Sequence, residues 1–275
     1  MFKFTFSFIL LFIIIQISCR NQPIYISKQL DFLEGTYTFK GQPVTGIVVQ
    51  NRENGYYLFK KEIKNGLLEG NAEYYYENGS IETIENYQNN ILEGEQKILF
   101  ESGKPNSLIY YHMGLKNGLV KEYLIDHSLF YQGVYQNDLP IDNWLYFIEN
   151  DTILIEEFDD QGKLNFISTT SDFNINKTIK KDTLEVTIQK NTPLIRFSGT
   201  YIQNKREGNF VFKSDQSEII IQFSNNKRNG TFLYKKNDQL LTEGNYQNDY
   251  KIGSWKYLDH TRYEVIKYQN GKIAY

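Results

Sequence analysis

Glycine recurs along the chain at a nearly fixed interval, and this interval limits the possible folds more than any other feature. The first series has steps of 24 residues and comprises Gly46, Gly70, Gly94 and Gly118, with Asp142 at the next step. The second series has steps of 22 and 23 residues and comprises Gly208, Gly230 and Gly253. We call these eight positions the marker positions. Self-similarity at 22 to 24 residues indicates a repeat array in which each unit is one supersecondary element.

Other residue types keep a constant distance from the markers. A large apolar or aromatic residue lies seven positions earlier, at Phe39, Ile63, Tyr87, Tyr111, Tyr135, Tyr201, Phe223 and Tyr246. An amide usually lies five positions earlier, at Asn65, Asn89, Asn137, Gln203, Asn225 and Asn248. Asn and Gly adopt positive φ at little steric cost, which tight turns require. Each unit is therefore predicted to be a β-hairpin, joined to the next by another tight turn.

The alternation of side chains along a strand predicts which residues share a face. Residues two, four and six positions after a marker lie on one side, and many of them are aromatic. The stripe includes Tyr74, Tyr76, Trp144, Tyr146, Tyr234, Trp255 and Tyr257. Its rings are expected to stack along the sheet, and they are also the candidate binding surface, a platform for a sugar ring, a peptide strand or a lipid headgroup.

These patterns predict an all-β fold: an elongated, single-layer antiparallel β-meander of tandem hairpin repeats, open and curved, without a conventional core. Residues 35–165 form the first array and residues 196–275 the second. Residues 166–195 lose the register and form a degenerate repeat, an inserted hairpin or a joint between two arrays. We favour a degenerate stretch within one continuous sheet.

The N-terminus has the character of an export signal. Lys3 precedes an apolar run over residues 4–15, which is too short to span a bilayer. The run ends in Gln16-Ile17-Ser18-Cys19, which resembles the bacterial lipobox, although Gln16 departs from the usual leucine. The resemblance implies a signal peptide over residues 1–18, lipid attachment at Cys19 and a tether over residues 19–34. We expect a lipid-anchored protein of the bacterial envelope, on an outer membrane facing the periplasm. A secreted protein, an inner-membrane anchor and a chain without export are the alternatives.

Several kinds of chemistry have no counterpart in the sequence. A net charge of −3, without a block of like charges, excludes a nucleic-acid footprint. The single cysteine excludes an intrachain disulfide, and the three histidines lack metal-ligand spacing. No phosphate loop or nucleophile elbow is present. We therefore expect no catalytic residue, no cofactor and no metal. Glu69 and Glu93, which precede markers, remain as a carboxylate pair to weigh for glycan hydrolysis.

The repeats resemble the MORN repeat, in the variant found in bacterial lipoproteins and in proteins often labelled antitoxin-like. The resemblance is carried by Ile63, Asn65, Gly70, Tyr74, Tyr75, Asn78 and Gly79, by Tyr87, Asn89 and Gly94, and by Tyr246, Asn248, Gly253, Trp255 and Tyr257. It implies a β-meander that serves binding or assembly and not catalysis.

The expected function is that of a non-enzymatic, lipid-anchored binding or scaffolding protein. Its expected partners are a membrane, through the N-terminal lipid, and a protein or glycan along the sheet, with no nucleic acid. The oligomeric state stays open. A glycan-active enzyme using sheet carboxylates and an antitoxin-like neutraliser of a toxic partner are the alternatives.

Overall fold

A computed structural model describes residues 22–191, 193–259 and 262–273. These residues form an all-β structure of 26 strands and a single 3-10 turn at Ser27–Gln29. The prediction of an all-β fold of antiparallel hairpins is confirmed. Cys19 and residues 1–18 lie outside the described residues. No helix in the described part of the chain is long and apolar enough to cross a membrane.

Sheet I has thirteen strands and runs from the N-terminal edge of the described chain to its middle. Its strands are β1 (Ile24–Ile26), β5 (Gly46–Asn51), β6 (Tyr57–Lys64), β7 (Leu67–Tyr75), β8 (Ile81–Gln88), β9 (Ile91–Leu92), β10 (Gly94–Leu99), β11 (Pro105–His112), β12 (Leu115–Tyr123), β13 (Leu129–Gln136), β14 (Leu139–Ile148), β15 (Asp151–Phe158) and β16 (Leu164–Ser168). Consecutive strands pair antiparallel, whereas β1 pairs with β5 in parallel. The small β9 extends the β8 hairpin.

Sheet II has ten strands in sequence order. They are β17 (Asn174–Lys180), β18 (Thr183–Asn191), β19 (Leu194–Ile202), β20 (Lys205–Ser214), β21 (Ser217–Ser224), β22 (Lys227–Lys236), β23 (Gln239–Gln247), β24 (Tyr250–Asp259), β25 (Arg262–Gln269) and β26 (Lys272–Ile273). A third, small sheet consists of β2 (Asp31–Leu33), β3 (Thr36–Phe39) and β4 (Gln42–Pro43). It covers the first strands of sheet I through a separate apolar cluster that includes Tyr37, Val48 and Ile63.

Seven of the eight marker positions, all except Gly46, lie where the ladder to the preceding strand is interrupted by a backbone bulge. All eight have positive φ, from +151° at Gly46 to +55° at Asp142, the one marker that is not glycine. At Gly118, three residues of β12 lie opposite Tyr110 of β11, because Ile109 pairs with Val120 and Tyr111 with Lys116. A bulge of this kind bends the strand and increases its twist. The 24-residue interval is therefore the interval between bends.

The two large sheets pack face to face, so the prediction of a single open layer without a core does not hold. Phe130 of β13 meets Phe212 of β20 with ring centroids 5.3 Å apart, and Tyr146 stacks on Phe212 at 5.6 Å. Phe100 meets Tyr257 of β24 at 6.1 Å. Each sheet has one aromatic face, and burying both faces against each other removes more apolar surface from water than an open ribbon could.

Two further expectations are corrected. The chain does not continue as one sheet through residues 166–195, because β16 ends sheet I and β17 starts sheet II after a link of five residues, 169–173. The described part of the expected tether is not a loose segment either. Ile24–Ile26 pair with Ile47, Val48 and Val49, and Asp31–Leu33 belong to the small sheet. The physical reason is similar in both cases. Sheet II covers the aromatic face of sheet I, and β1 pairs with the otherwise open edge strand β5, and both contacts stabilise the fold.

A buried ion pair joins β15, next to the last strand of sheet I, to β20 of sheet II. Glu156 of β15 is 0% exposed and binds Arg206 of β20, whose Nε lies 2.9 Å from Oε2 and whose terminal nitrogen contacts the same oxygen. The Tyr201 hydroxyl donates to the other carboxylate oxygen at 2.6 Å. Rings of Trp144 and Phe158 lie 5.5 and 5.2 Å from the guanidinium. Each charge therefore depends on its partner, since neither can reach water.

Two further contacts join the sheets towards the C-terminal strands. Glu122 of β12 accepts from Arg228 of β22 at 2.6 Å. Asp126, in the turn after β12, accepts from Tyr234 at 2.8 Å and from Lys236 at 2.7 Å. Burial alone would raise the pKa of Asp126, but hydrogen bonds from Lys236, Ser128 and Tyr234 lower it to about 2. The carboxylate is thus ionised at neutral pH and binds a cation of the opposite sheet.

Gly94→Val tests the marker bulge. Gly94 has a φ of +86°, and a Cβ added there would meet nothing within 4 Å, so only the backbone conformation opposes a side chain. We expect the valine to lower the free energy of unfolding by about 1–3 kcal/mol. Gly94→Asn is the matched control and should cost less, because asparagine tolerates positive φ. Urea unfolding of both variants measures the difference, and equal midpoints for valine and wild type would refute the role.

Arg206→Met tests the buried ion pair of Glu156 and Arg206. Removing one partner of a buried pair leaves an uncompensated charge, which costs about 3–5 kcal/mol. The double variant Glu156→Leu with Arg206→Met should recover most of that loss. Arg196→Met, at an exposed position of the neighbouring β19, should change little. Denaturant unfolding gives all four values, and an Arg206→Met protein as stable as wild type would contradict the buried pairing.

Candidate functional site: a cleft between the sheets

The aromatic residues predicted as a binding surface lie mostly in the core. Six of the seven are buried, with exposed fractions of 1–4%: Tyr76, Trp144, Tyr146, Tyr234, Trp255 and Tyr257. The structure therefore corrects the idea of an exposed platform for these six, because each sheet hides the ring face of the other. Tyr74 is the exception. It is half-buried and lines a cleft between the sheets.

The cleft has a volume of about 970 Å³. Its floor is the inner face of sheet I from β6 to β13, and its opposite wall is the end of sheet II, including Lys251 of β24 and Tyr268 of β25. The main core fills the space on one side and the small apolar cluster around Tyr37 lies on the other. A cleft of this size between layers is where proteins commonly hold small ligands.

A second bulge, present in the repeats of sheet I, determines which side chains the floor displays. In β8, Tyr74 pairs with Thr83 and Tyr75 with Ile81, so Glu82 is an extra residue, and both Glu82 and Thr83 are buried. The same happens 24 residues later. The inward pairs in sheet I are Glu82 and Thr83, Asn106 and Ser107, Phe130 and Tyr131, and Ile153 and Leu154. The pairs of β8 and β11 are polar and line the cleft, together with the apolar pair Leu58 and Phe59 of β6 and with Tyr131.

Three of these polar side chains have unused hydrogen-bonding capacity. Thr83 is 8% exposed, Asn106 4% and Ser107 8%, and all three line the cleft. Among the described residues, none of their side-chain groups has a hydrogen-bond partner, yet their polar atoms are not sealed from the cleft. Buried polar groups are normally hydrogen-bonded, so a row of such groups facing a cavity is typical of a binding site.

The acidic groups of the cleft already have partners. Glu85 accepts from Tyr87 at 2.6 Å and from Gln96 at 2.7 Å. Glu122 holds Arg228, whose Nε also lies 3.5 Å from Asp249. Glu82 likewise takes part in an interaction with the surrounding protein. The carboxylates thus contribute to the structure of the walls, and the neutral floor groups are the ones left for a ligand.

Two lysines complete the lining. Lys251 is half-buried, and its Nζ donates to the Tyr257 hydroxyl at 2.9 Å and lies 4.8 Å from the Trp255 ring. Burial lowers the pKa of Lys251 to about 8; Arg228 lowers it too, while Glu122 and Glu82 act in the opposite direction. Burial also lowers the pKa of Lys116, whose Nζ lies 5.0 Å from the Tyr135 ring.

The carboxylates considered as a hydrolytic pair bind turns of the backbone. Glu69 accepts from the backbone N–H of Asn89 at 2.9 Å, and Glu93 accepts from that of Met113 at 2.9 Å. His112 also contacts Glu93, at 2.9 Å. Each carboxylate therefore accepts a hydrogen bond from a backbone N–H in the tight turn of the following repeat. Within the described ranges, no cluster of His, Cys, Asp and Glu could hold a metal ion.

The sequence patterns did not reveal the cleft. The residues twelve and thirteen positions after Gly70 and Gly94 are polar, whereas those at the same positions after Gly118 are aromatic. This difference in the sequence could have indicated the cleft. No protein-family model matches the chain, and comparison with curated proteins finds no match either. The site is therefore assigned from its geometry.

The titration of Lys251 tests the environment of the cleft. After reductive ¹³C-methylation, we expect the Lys251 methyl signal to titrate near pH 8, well below an ordinary lysine. Lys97 and Lys256 serve as internal controls, because hydrogen bonds to Glu95 and Glu243 raise the pKa of each. Glu82→Gln should lower the pKa of Lys251 further, since it removes a nearby negative charge. A Lys251 signal that titrates with the controls would contradict the burial of its ammonium group.

Proposed function

We propose that the protein is a non-enzymatic, lipid-anchored binding protein of the bacterial cell envelope, built from repeats of the MORN type, and that its ligand lies in the cleft between the sheets. The observation that carries this proposal is the floor of unsatisfied Thr83, Asn106 and Ser107 side chains. These groups open onto the cleft and have no hydrogen-bond partner in the described protein, so they are available to a polar ligand.

The location follows from the N-terminal sequence. Cys19 is the proposed lipid attachment site and precedes the first described strand, β1, by only a few residues. Several acyl chains on one cysteine bind a membrane firmly, because each buried methylene contributes about 0.8 kcal/mol. The proposed partners are thus the outer membrane, through the lipid, and a ligand of the periplasm in the cleft.

Binding fits the cleft better than catalysis does. A glycoside hydrolase needs one carboxylic acid and one carboxylate directed at the scissile bond. Glu85 receives hydrogen bonds from Tyr87 and Gln96, and Glu122 is held by Arg228. The groups free to meet a ligand are amide, hydroxyl and ammonium groups, which recognise polar molecules without a reaction step.

Asn106→Leu combined with Ser107→Val tests the cleft. The full chain is immobilised and exposed to two probes, a mixture of polysaccharide and cell-wall fragments and a detergent extract of envelope proteins. We expect one class of molecule to be retained by wild type and by Asn71→Leu, a matched change at an exposed position. Retention should fall at least about tenfold in the cleft variant, because unpaired polar groups of the ligand would be buried.

Two outcomes would contradict the proposal. Equal retention by wild type and the cleft variant would place binding elsewhere. Conversion of a retained fragment, abolished by Glu85→Gln, would make the protein an enzyme. For the location, Cys19→Ala should move the protein from the membrane fraction to the soluble fraction of the cell, and a variant that stays with membranes would exclude the lipid anchor.

A further inference from the structure

Two ammonium groups of the cleft have no anionic partner. In the described parts of the chain, no carboxylate forms an ion pair with Lys116 or Lys251. The Nζ of Lys116 has only the face of the Tyr135 ring at 5.0 Å, and the Nζ of Lys251 has the Tyr257 hydroxyl and three rings. Both side chains line the cleft.

The other cations between the sheets differ from these two. Arg206 is paired with Glu156, Arg228 with Glu122 and Lys236 with Asp126. Removing an ammonium group from water is unfavourable unless an anion compensates it. Nearby carboxylates supply part of that compensation without forming an ion pair: Asp249, Asp138 and Glu122 for Lys116, and Glu122 and Glu82 for Lys251. An anionic ligand in the cleft would give the two ammonium groups the ion-pair partner that they lack.

We propose that Lys116 and Lys251 form the anion subsite of this cleft and that its ligand is an acidic saccharide, a sugar whose ring carries a carboxylate. This inference deepens the proposed function and rests on it. The carboxylate lies in the part of the cleft that Lys116 and Lys251 line, and the sugar hydroxyls bind the floor at Thr83, Asn106 and Ser107. Half-buried Tyr74 and Tyr111 offer ring surface, to which the C–H edges of a sugar are attracted because the face of an aromatic ring is electron-rich.

A saccharide suits the cleft better than a peptide strand does. Peptides commonly bind to a sheet by adding a strand to an exposed edge. The cleft lies instead between the faces of two sheets, where the backbone groups of β8, β10, β11 and β12 are used in antiparallel ladders. Its free groups are side-chain amides, hydroxyls and ammonium groups, which match the dispersed hydroxyls and single carboxylate of an acidic sugar.

Binding should depend on pH through Lys251. The charged and titratable groups that face it are Glu82 of β8, Glu122 of β12, Arg228 of β22, Tyr268 of β25 and, on its own strand, Tyr257. Glu82 and Glu122 favour the charged lysine and Arg228 opposes it. With a pKa of about 8 in the free protein, Lys251 is protonated at lower pH. Affinity should therefore be highest well below pH 8, where Lys251 is charged and the sugar carboxylate is still ionised, and fall as the pH rises through about 8.

Calorimetry on the full chain tests the inference with three acidic probes that distinguish sources of the carboxylate: oligogalacturonate, oligoalginate and sialyllactose. Methyl-esterified oligogalacturonate and cello-oligosaccharides are the neutral controls. We expect one acidic probe to bind, its neutral counterpart to bind at least about tenfold more weakly, and Lys116→Met and Lys251→Met each to weaken it by a similar factor. Lys256→Met, an exposed lysine on the same strand, should bind as wild type does.

The comparison of the acid with its methyl ester uses only the wild-type protein, so it remains informative even if Lys251→Met fails to fold. Lys251→Arg keeps the positive charge and should keep the affinity. Equal binding of acidic and neutral sugars would overturn the anion subsite and leave the proposed binding function standing. Binding of no acidic saccharide would also overturn it, whereas the retention test with the Asn106 and Ser107 variant decides the binding function separately. Retention of a peptide from the envelope extract that depends on Lys251 would assign the subsite to another class of ligand.

Discussion

The burial of two aromatic faces against each other is the interaction on which this structure depends. Each repeat contributes rings to one side of its hairpin, and a single sheet would leave that side in water. Sheet II covers the rings of sheet I around Phe130, Tyr146 and Phe212. Ring stacking alone has little preference for one exact alignment of the two sheets. The hydrogen-bonded pair of Glu156 and Arg206 favours one alignment.

The unequal sizes of the sheets explain the cleft. Sheet I has thirteen strands and sheet II has ten, so sheet II does not fully close the floor of the cleft, which extends from β6 to β13. The inward bulge pairs follow this difference. Phe130 packs on Phe212 of sheet II, whereas Asn106 and Ser107 line the cleft. The same backbone therefore serves as core in one repeat and as a polar floor in the next, and side-chain type alone makes the distinction.

Much of the local structure could be predicted from the sequence. The marker interval predicted the hairpins, and positive φ at all eight markers, including Asp142, gives it a physical basis. Period two correctly placed Trp144 and Trp255 on one face. That pattern tells which way a side chain points and not what covers it, so the second layer and the pairing of Glu156 with Arg206, 50 residues apart, were missed. The floor was missed because the bulge at Glu82 and Asn106 interrupts the alternation on which the prediction rests.

The second bulge has a consequence for how such a chain can change. Two neighbouring side chains per repeat point inward at the same place, and the fold accepts Glu82 with Thr83, Asn106 with Ser107, or Phe130 with Tyr131 there. Backbone hydrogen bonds on either side do not depend on these identities. Point substitutions at these paired positions could thus change which molecule is recognised. The strands, the bulges and the apolar core would stay unchanged.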